Sequence, residues 1–146
     1  MRREYMLTRD IDWFAKIGSK YVHFASNGSI LPINLEHSKL RQMQQAVANI
    51  EVEMDDVRIN QQLINAMREN GQLEGTTNER YLRSFKIFAS KGFYSFDYNR
   101  KEQRYRLVAM PGNGNRKGRL AEIQLPVLAG KQDLEQDCLD QIREME

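Results

Sequence analysis

The chain has 146 residues, of which 40% are hydrophobic and 29% are charged, and its formal net charge at pH 7 is +2. This length is typical of one domain, and this balance excludes an intrinsically disordered chain. No run of 18 apolar residues occurs and charges interrupt the first ten residues, so we expect no membrane segment, no signal peptide and a cytoplasmic protein.

The chain is predicted to begin with an antiparallel β-hairpin. Two segments rich in aromatic and β-branched residues, 11–17 and 20–26, flank Gly18-Ser19, and a glycine at the first loop position suits a type II′ turn. Pairing of Ile17 with Lys20 then sets the register of the whole hairpin. In that register one face is almost entirely apolar and consists of Ile11, Trp13, Ala15, Ile17, Val22 and Phe24.

A long helix is predicted from about Leu35 to Asn70, because this segment contains no Pro or Gly, Asn34 could cap its start and Gly71 could end it. Its apolar residues recur in steps of three and four, as in a coiled coil. We call this set the helix seam: Leu40, Met43, Val47, Ile50, Met54, Val57 and Ile64. The alternation of polar and apolar residues over 49–54 leaves a short strand, or a break between two helices, as an alternative.

The second half of the chain is predicted to contain a helix, a β-ribbon and a final helix. Thr76 and Glu79 have the spacing of a capping box, so an amphipathic helix should follow and end at Gly92. An antiparallel ribbon of two or three strands is predicted to follow this helix. The predicted strands are 93–98, 104–110 and, as an edge strand, 120–128, with 111–118 as a flexible Gly/Asn loop.

The acidic segment 131–146 is predicted to form the C-terminal helix. The predicted fold is therefore a single α+β domain over residues 1–146. In chain order it has an N-terminal hairpin, a long heptad-patterned helix, a second amphipathic helix, a second antiparallel ribbon and an acidic helix.

Charge is unevenly distributed along the chain. Residues 80–119 contain eleven Lys and Arg against two acids, whereas residues 131–146 contain six acids against two bases. The acidic helix could cover the basic segment or face solvent, and both alternatives stay open. Rings beside cations can hold a nucleic-acid strand by stacking and phosphate attraction, although strand aromatics usually pack inward. The candidate nucleic-acid-binding residues are Tyr94, Phe96, Tyr98, Arg100, Lys101, Arg104, Arg106, Arg116, Lys117 and Arg119.

Asp12 and His23 form the one candidate catalytic pair. The hairpin register sets them diagonally on one face, within ~7–8 Å of each other, and a carboxylate can orient an imidazole. A hydrogen-bonded pair on the surface is the alternative. No nucleophile or oxyanion donor converges by spacing, and Cys138 has no Cys or His nearby at metal-ligand spacing. We therefore predict no catalytic residues, no metal site and no cofactor.

A non-catalytic binding or assembly protein is the function that the sequence favours. A long apolar seam needs a partner, which is either the chain's own hairpin face or a second helix. We predict self-association, or binding of a protein partner, through the helix seam. A nucleic-acid-binding module is the first alternative, and a small hydrolase or transferase using Asp12 and His23 is the second.

Overall fold

The N-terminal hairpin has the predicted register. In the computed structural model, which describes residues 1–52, 56–73, 77–112 and 120–146, strand β1 (Asp12–Ile17) pairs antiparallel with strand β2 (Lys20–Ala25). Ile17 lies opposite Lys20. Gly18 has a φ of 58°, and Ser19 has no positive φ, as a type II′ turn requires. The prediction from local turn chemistry is confirmed.

The second ribbon joins the hairpin in one sheet. Strands β4 (Tyr94–Asn99) and β5 (Arg104–Pro111) pair antiparallel, and β4 lies parallel to β2. A short strand β3 (Val57–Ile59) pairs with the far side of β5, which gives the order β1-β2-β4-β5-β3. The third strand of the ribbon is thus β3, whereas in the segment 120–128 only Val127 makes a bridge, to Lys16 at the β1 edge.

The prediction of one long helix is wrong. The segment forms helix α2 (His37–Ala48), then β3, then helix α3 (Gln61–Glu69). Asn60 starts α3, because its side chain accepts a hydrogen bond from the Leu63 N–H, as an N-cap residue does. Pairing of β3 with β5 stabilises the extended backbone in between. The alternative of a break between two helices therefore matches the structure, but the strand lies at Val57–Ile59 and not within 49–54. Glu36, and not Asn34, precedes the first helical residue of α2.

The remaining helices agree with the sequence in place and length, apart from one that was not predicted. That helix is α1 (Arg3–Leu7), while α4 (Thr77–Ser90) and α5 (Gln132–Met145) match their predictions. Leu120–Glu122 forms a 3₁₀ turn. Thr76 of the capping box and residues 113–119 of the Gly/Asn loop lie outside the described residues. Within the described ranges, no helix is long and apolar enough to cross a membrane.

The helices cover the sheet and its edges. Helix α4 contacts β4 and β5, α5 contacts β5, and α2 contacts β1. Cys138 and Ile142 of α5 belong to the core cluster that contains Trp13 and Phe24. The acidic helix therefore packs on the sheet, and Asp137 accepts a hydrogen bond from Arg104 of the basic segment at 2.7 Å.

The helix seam is divided between parts of this core. Leu40, Met43 and Val47 are buried in the cluster of the hairpin, and Ile64 is buried in a second cluster beneath α3 and α4. Ile50 and Val57 are partly buried against these clusters, and Met54 lies outside the described residues. Because the chain's own core covers the buried members, they form no continuous exposed stripe for a partner helix.

Candidate functional site

A group of polar side chains lies on the sheet face that α4 covers. The parallel pairing of β2 with β4 sets His23 beside Ser95 and Ala25 beside Asp97. His23 and Ser95 have no accessible surface. The imidazole of His23 stacks on Phe88 of α4, with ring centroids 3.9 Å apart. Burial on this face follows from the position of β2 inside the sheet, between β1 and β4, and from the cover that α4 provides.

His23 joins Asp12 and Ser95 in a hydrogen-bonded relay. Its Nε2 lies 2.8 Å from Asp12 Oδ1, and its Nδ1 lies 2.6 Å from Ser95 Oγ. Burial lowers the pKa of His23, and the hydrogen bond to Asp12 opposes this shift in part. A neutral imidazole that donates from Nε2 to Asp12 and accepts the Ser95 hydroxyl at Nδ1 satisfies both contacts.

The relay contains the predicted contact between Asp12 and His23, and it buries the imidazole. Asp12 and His23 do meet, as the hairpin register predicts, but His23 is buried and not part of a surface pair. A serine nucleophile must be reached by its substrate, and neither Ser95 nor His23 is accessible. The arrangement therefore ties β1, β2 and β4 together instead of exposing a reactive group.

Asp97 and Tyr81 form a second polar pair near the relay. The Tyr81 hydroxyl donates to Asp97 Oδ2 at 2.7 Å. Burial, helped by the nearby carboxylates of Asp10 and Asp12, raises the pKa of Asp97 to about 7, although the hydrogen bond from Tyr81 lowers it in part. Burial, together with Asp97, also raises the pKa of Tyr81. Asp97 therefore carries an ionisable group that changes state near neutral pH.

Arg106 lies directly opposite Asp97 in the β4–β5 ladder. No ion pair joins these two described residues, because Arg106 Nη1 instead binds both carboxylate oxygens of Glu102, at 2.8 and 2.9 Å. The Nε of Arg106 is buried and has no hydrogen-bond partner among the described residues. The Nε of Arg104, on the same strand, is likewise buried and without a partner among the described residues, so this feature does not distinguish Arg106 from Arg104.

A cavity of about 180 Å³ lies at this place. The end of the β4–β5 hairpin forms one side, and α3 and α4 form the other. Arg100 approaches from the turn and packs over Gly28, where a side chain would come within 3.3 Å of its guanidinium. The lining residues are Asn27, Leu63, Met67, Gln72, Tyr81, Asp97, Tyr98, Asn99, Arg100 and Arg106.

A larger groove of about 540 Å³ lies between α2 and the segment 122–126. Leu35, Met43 and Leu125 form its buried floor, whereas its polar side chains are all exposed. It therefore lacks the convergent buried polar groups that fix the orientation of a ligand. Within the described part of the chain, no group of three or more His, Cys, Asp or Glu is placed to hold a metal ion.

The predicted nucleic-acid-binding residues do not form a stacking platform. Tyr94 and Phe96 are buried, and Phe96 stacks on Phe24 with centroids 5.4 Å apart. Tyr98 is half-buried, and its ring makes a T-shaped contact with the ring of Tyr105. These rings pack inward, as strand aromatics usually do, and leave little surface for a base.

The predicted cations have different surroundings. Arg104 is paired with Asp137 and Arg106 with Glu102, whereas Arg100 and Lys101 are exposed at the hairpin turn. Arg116, Lys117 and Arg119 lie outside the described residues. The acidic helix thus covers part of the basic segment, which is the first of the two alternatives left open by the charge pattern.

Three residues of the relay and of the Asp97–Tyr81 pair were not singled out from the sequence, namely Tyr81, Ser95 and Asp97, and neither were the cavity-lining residues Leu63 and Met67. Ser95 and Asp97 meet the hairpin only because β4 lies parallel to β2, and a long stretch of chain separates these strands. The available signal was the alternation of Ser95 and Asp97 with large aromatic residues along β4, which places them together on one sheet face. Comparison with known proteins finds no matching family model, no significantly similar curated protein and no significantly similar solved structure.

Proposed function

We propose that the protein is a non-catalytic binding protein that holds a small polar ligand in the cavity beside Asp97 and Arg106. The observation that carries this proposal is that two residues of opposite charge face each other at a cavity, yet each is bound to a different neighbour. Ionisable groups with a displaced pKa in a cleft mark candidate binding sites. Pockets that hold drug-sized ligands measure ~300–1000 Å³, so this cavity fits a smaller molecule.

We propose binding without catalysis because of the side chains that lie beside the cavity. Asp97 could exchange a proton near neutral pH, but the nearby histidine and serine are buried in their own relay. A group that transfers protons is only one part of a catalytic site, which also needs a nucleophile, a metal or an electrophilic group. Among the described residues that line the cavity there is no Ser, Thr, Cys or His.

Assembly through the helix seam stays a prediction. It would require side chains that the chain's own core buries, such as Leu40 and Val47, to become accessible to a partner. The cavity needs no such rearrangement, and this difference favours a small ligand over a helical partner as the binding function.

A library of small polar metabolites, screened by amide chemical-shift perturbation on labelled protein, tests the proposal. We expect at least one compound to shift the amides of Asn27, Tyr98 and Arg106 together, because these residues line one cavity. The shifts should be lost in Asp97→Asn or Arg106→Gln and kept in Arg104→Gln. Arg104 is the matched control, since it lies on the same strand and is not among the lining residues. A library without a single cavity-directed hit would contradict the proposal.

A further inference from the structure

We infer that the ligand is a small zwitterion, of the class of free aliphatic amino acids, with its ammonium group on Asp97 and its carboxylate on Arg106. This inference rests on the proposed function and specifies its ligand. It is argued from the charges of the site and from the apolar wall of the cavity.

The charges of the site match a molecule that carries both signs. Directly opposite residues on one sheet face have Cβ atoms ~4.5–5.5 Å apart, so Asp97 and Arg106 present opposite charges across a short gap. They make no ion pair with each other, because Tyr81 holds the carboxyl and Glu102 holds the guanidinium. A ligand with only a carboxylate would leave Asp97 without a cation partner among the described residues, whereas Arg106 keeps Glu102 as a counter-charge whichever ligand binds.

Arg106 supplies the anion-binding half. A guanidinium binds a carboxylate best through two parallel N–H donors, and the edge that contains Nε is the one that Glu102 does not use. Arg100, which also lines the cavity, adds a second positive charge.

Asp97 supplies the cation-binding half. Its carboxylate lies close enough to those of Asp10 and Asp12 to be affected by their negative charge. An ammonium group placed against Asp97 offsets this repulsion and donates a charge-assisted hydrogen bond. Tyr81 donates to Oδ2 and keeps the carboxyl oriented while the ligand binds.

Leu63 and Met67 supply an apolar wall. Both belong to α3, and Leu63 is buried while Met67 is half-buried. An aliphatic side chain placed against them would remove apolar surface from solvent, which favours binding. The wall therefore favours an amino acid with a small aliphatic side chain over one with a charged side chain.

Three probes that share the isobutyl group test the inference: leucine, isocaproate, which lacks the amine, and isoamylamine, which lacks the carboxylate. We expect leucine to shift the amides of the cavity and to bind at least about tenfold tighter than either analogue, since each analogue loses one charge-assisted contact. Asp97→Asn should reduce leucine binding to the level of isocaproate, and Arg106→Gln should reduce it to the level of isoamylamine. Arg104→Gln should bind leucine as the unmodified protein does.

The outcomes separate this inference from the proposed function. If isocaproate binds as tightly as leucine, the site takes anions, and the zwitterion inference is overturned while the proposed function stands. The same holds if all three probes fail but another metabolite in the library shifts the cavity amides. If no compound in the library shifts them, the proposed function fails, and the inference fails with it.

Discussion

The imidazole ring of His23 lies against the phenyl ring of Phe88, with centroids 3.9 Å apart and planes inclined by 27°. This stack joins the centre of the sheet to α4, and the two nitrogens of the same ring bind Asp12 and Ser95. One side chain thus links strands β1, β2 and β4 to a helix. The protonation state of His23 therefore bears on the stability of this half of the molecule.

We expect His23 to be neutral in the folded protein, with its proton on Nε2. Burial lowers its pKa in the folded state below that of the unfolded chain, ~6.5. The neutral ring therefore contributes fully to the free energy of unfolding above pH ~6.5. This contribution is lost as the pH falls toward the pKa of His23 in the folded state. Long-range ¹H–¹⁵N correlation spectra report the tautomer directly, and at pH 7 they should show a protonated Nε2 and an unprotonated Nδ1.

The urea-unfolded protein is the control, because its released imidazole should titrate near pH ~6.5. A charged imidazole in the folded state at pH 7, or a proton on Nδ1, would contradict the hydrogen-bond assignment of the relay.

Asp97 should produce the opposite pH dependence. Its pKa is about 7 in the folded protein and ~3.9 in an unfolded chain, so ionisation destabilises the folded state as the pH rises through this window. Asp97→Asn, which keeps an acceptor for Tyr81, should therefore gain stability relative to the unmodified protein between pH 4 and pH 8. We expect a gain of roughly 1–3 kcal/mol, because Asp97 is only partly buried.

Urea unfolding at a series of pH values measures this difference. Glu144→Gln, at an exposed position of α5, is the control and should not reproduce the gain. A difference in unfolding free energy that stays constant from pH 4 to pH 8 would show that Asp97 ionises normally.

Local features of the sequence were sufficient to predict both hairpins. Gly18 sets a two-residue turn, which fixes the register, and the apolar alternation agrees with it because a slip of one residue would move Trp13 and Phe24 to opposite faces. The same type of local signal located β4, β5, α4 and α5. Each of these elements depends on neighbours close in sequence, so no knowledge of the tertiary structure was needed.

Non-local pairing accounts for the errors and omissions. Helices α2 and α3 both place apolar residues inward, and their patterns happen to continue in steps of three and four across β3. The break depends on pairing of Val57–Ile59 with β5 and on the Asn60 cap. Burial of His23 and its contact with Ser95 likewise depend on the parallel β2–β4 pair, which no local pattern predicts.

Gln141 stabilises the part of the β5 edge that β3 does not cover. Its side chain accepts from the Leu107 N–H and donates to the Tyr105 carbonyl, both at 2.8 Å, and it is 5% exposed. Gln141→Leu would leave two buried backbone groups without partners, so we expect a loss of roughly 2–4 kcal/mol in unfolding free energy. Hydrogen exchange at the Leu107 amide should become faster.

Gln136→Leu is the matched control. Gln136 is exposed on the same helix, and its amide binds only the neighbouring Asp140 side chain among the described residues. This change should alter stability by less than ~0.5 kcal/mol. Equal stability losses in the two variants would mean that the Gln141 amide makes no specific contribution to the β5 edge.

A substitution in the helix seam tests whether its residues belong to the core of the chain or to an interface with a partner. Leu40 is 3% exposed and lies in the cluster of the hairpin, so Leu40→Lys places a charge in the chain's own core. We expect a loss of roughly 3 kcal/mol or more, because the change removes a buried apolar side chain and buries an unpaired ammonium. Gln45→Lys, on the exposed face of the same helix, should have almost no effect. Equilibrium urea unfolding of both variants measures these losses.

Sedimentation at two protein concentrations, combined with urea unfolding, distinguishes the two roles of Leu40. If the seam is core, Leu40→Lys lowers the unfolding free energy without changing the mass of the folded species, and the urea midpoint does not depend on protein concentration. If the seam is an interface, the unmodified protein sediments as an oligomer, and Leu40→Lys yields a stable, folded species of lower mass. We expect the first result, because contacts within one chain already cover Leu40, Met43 and Val47.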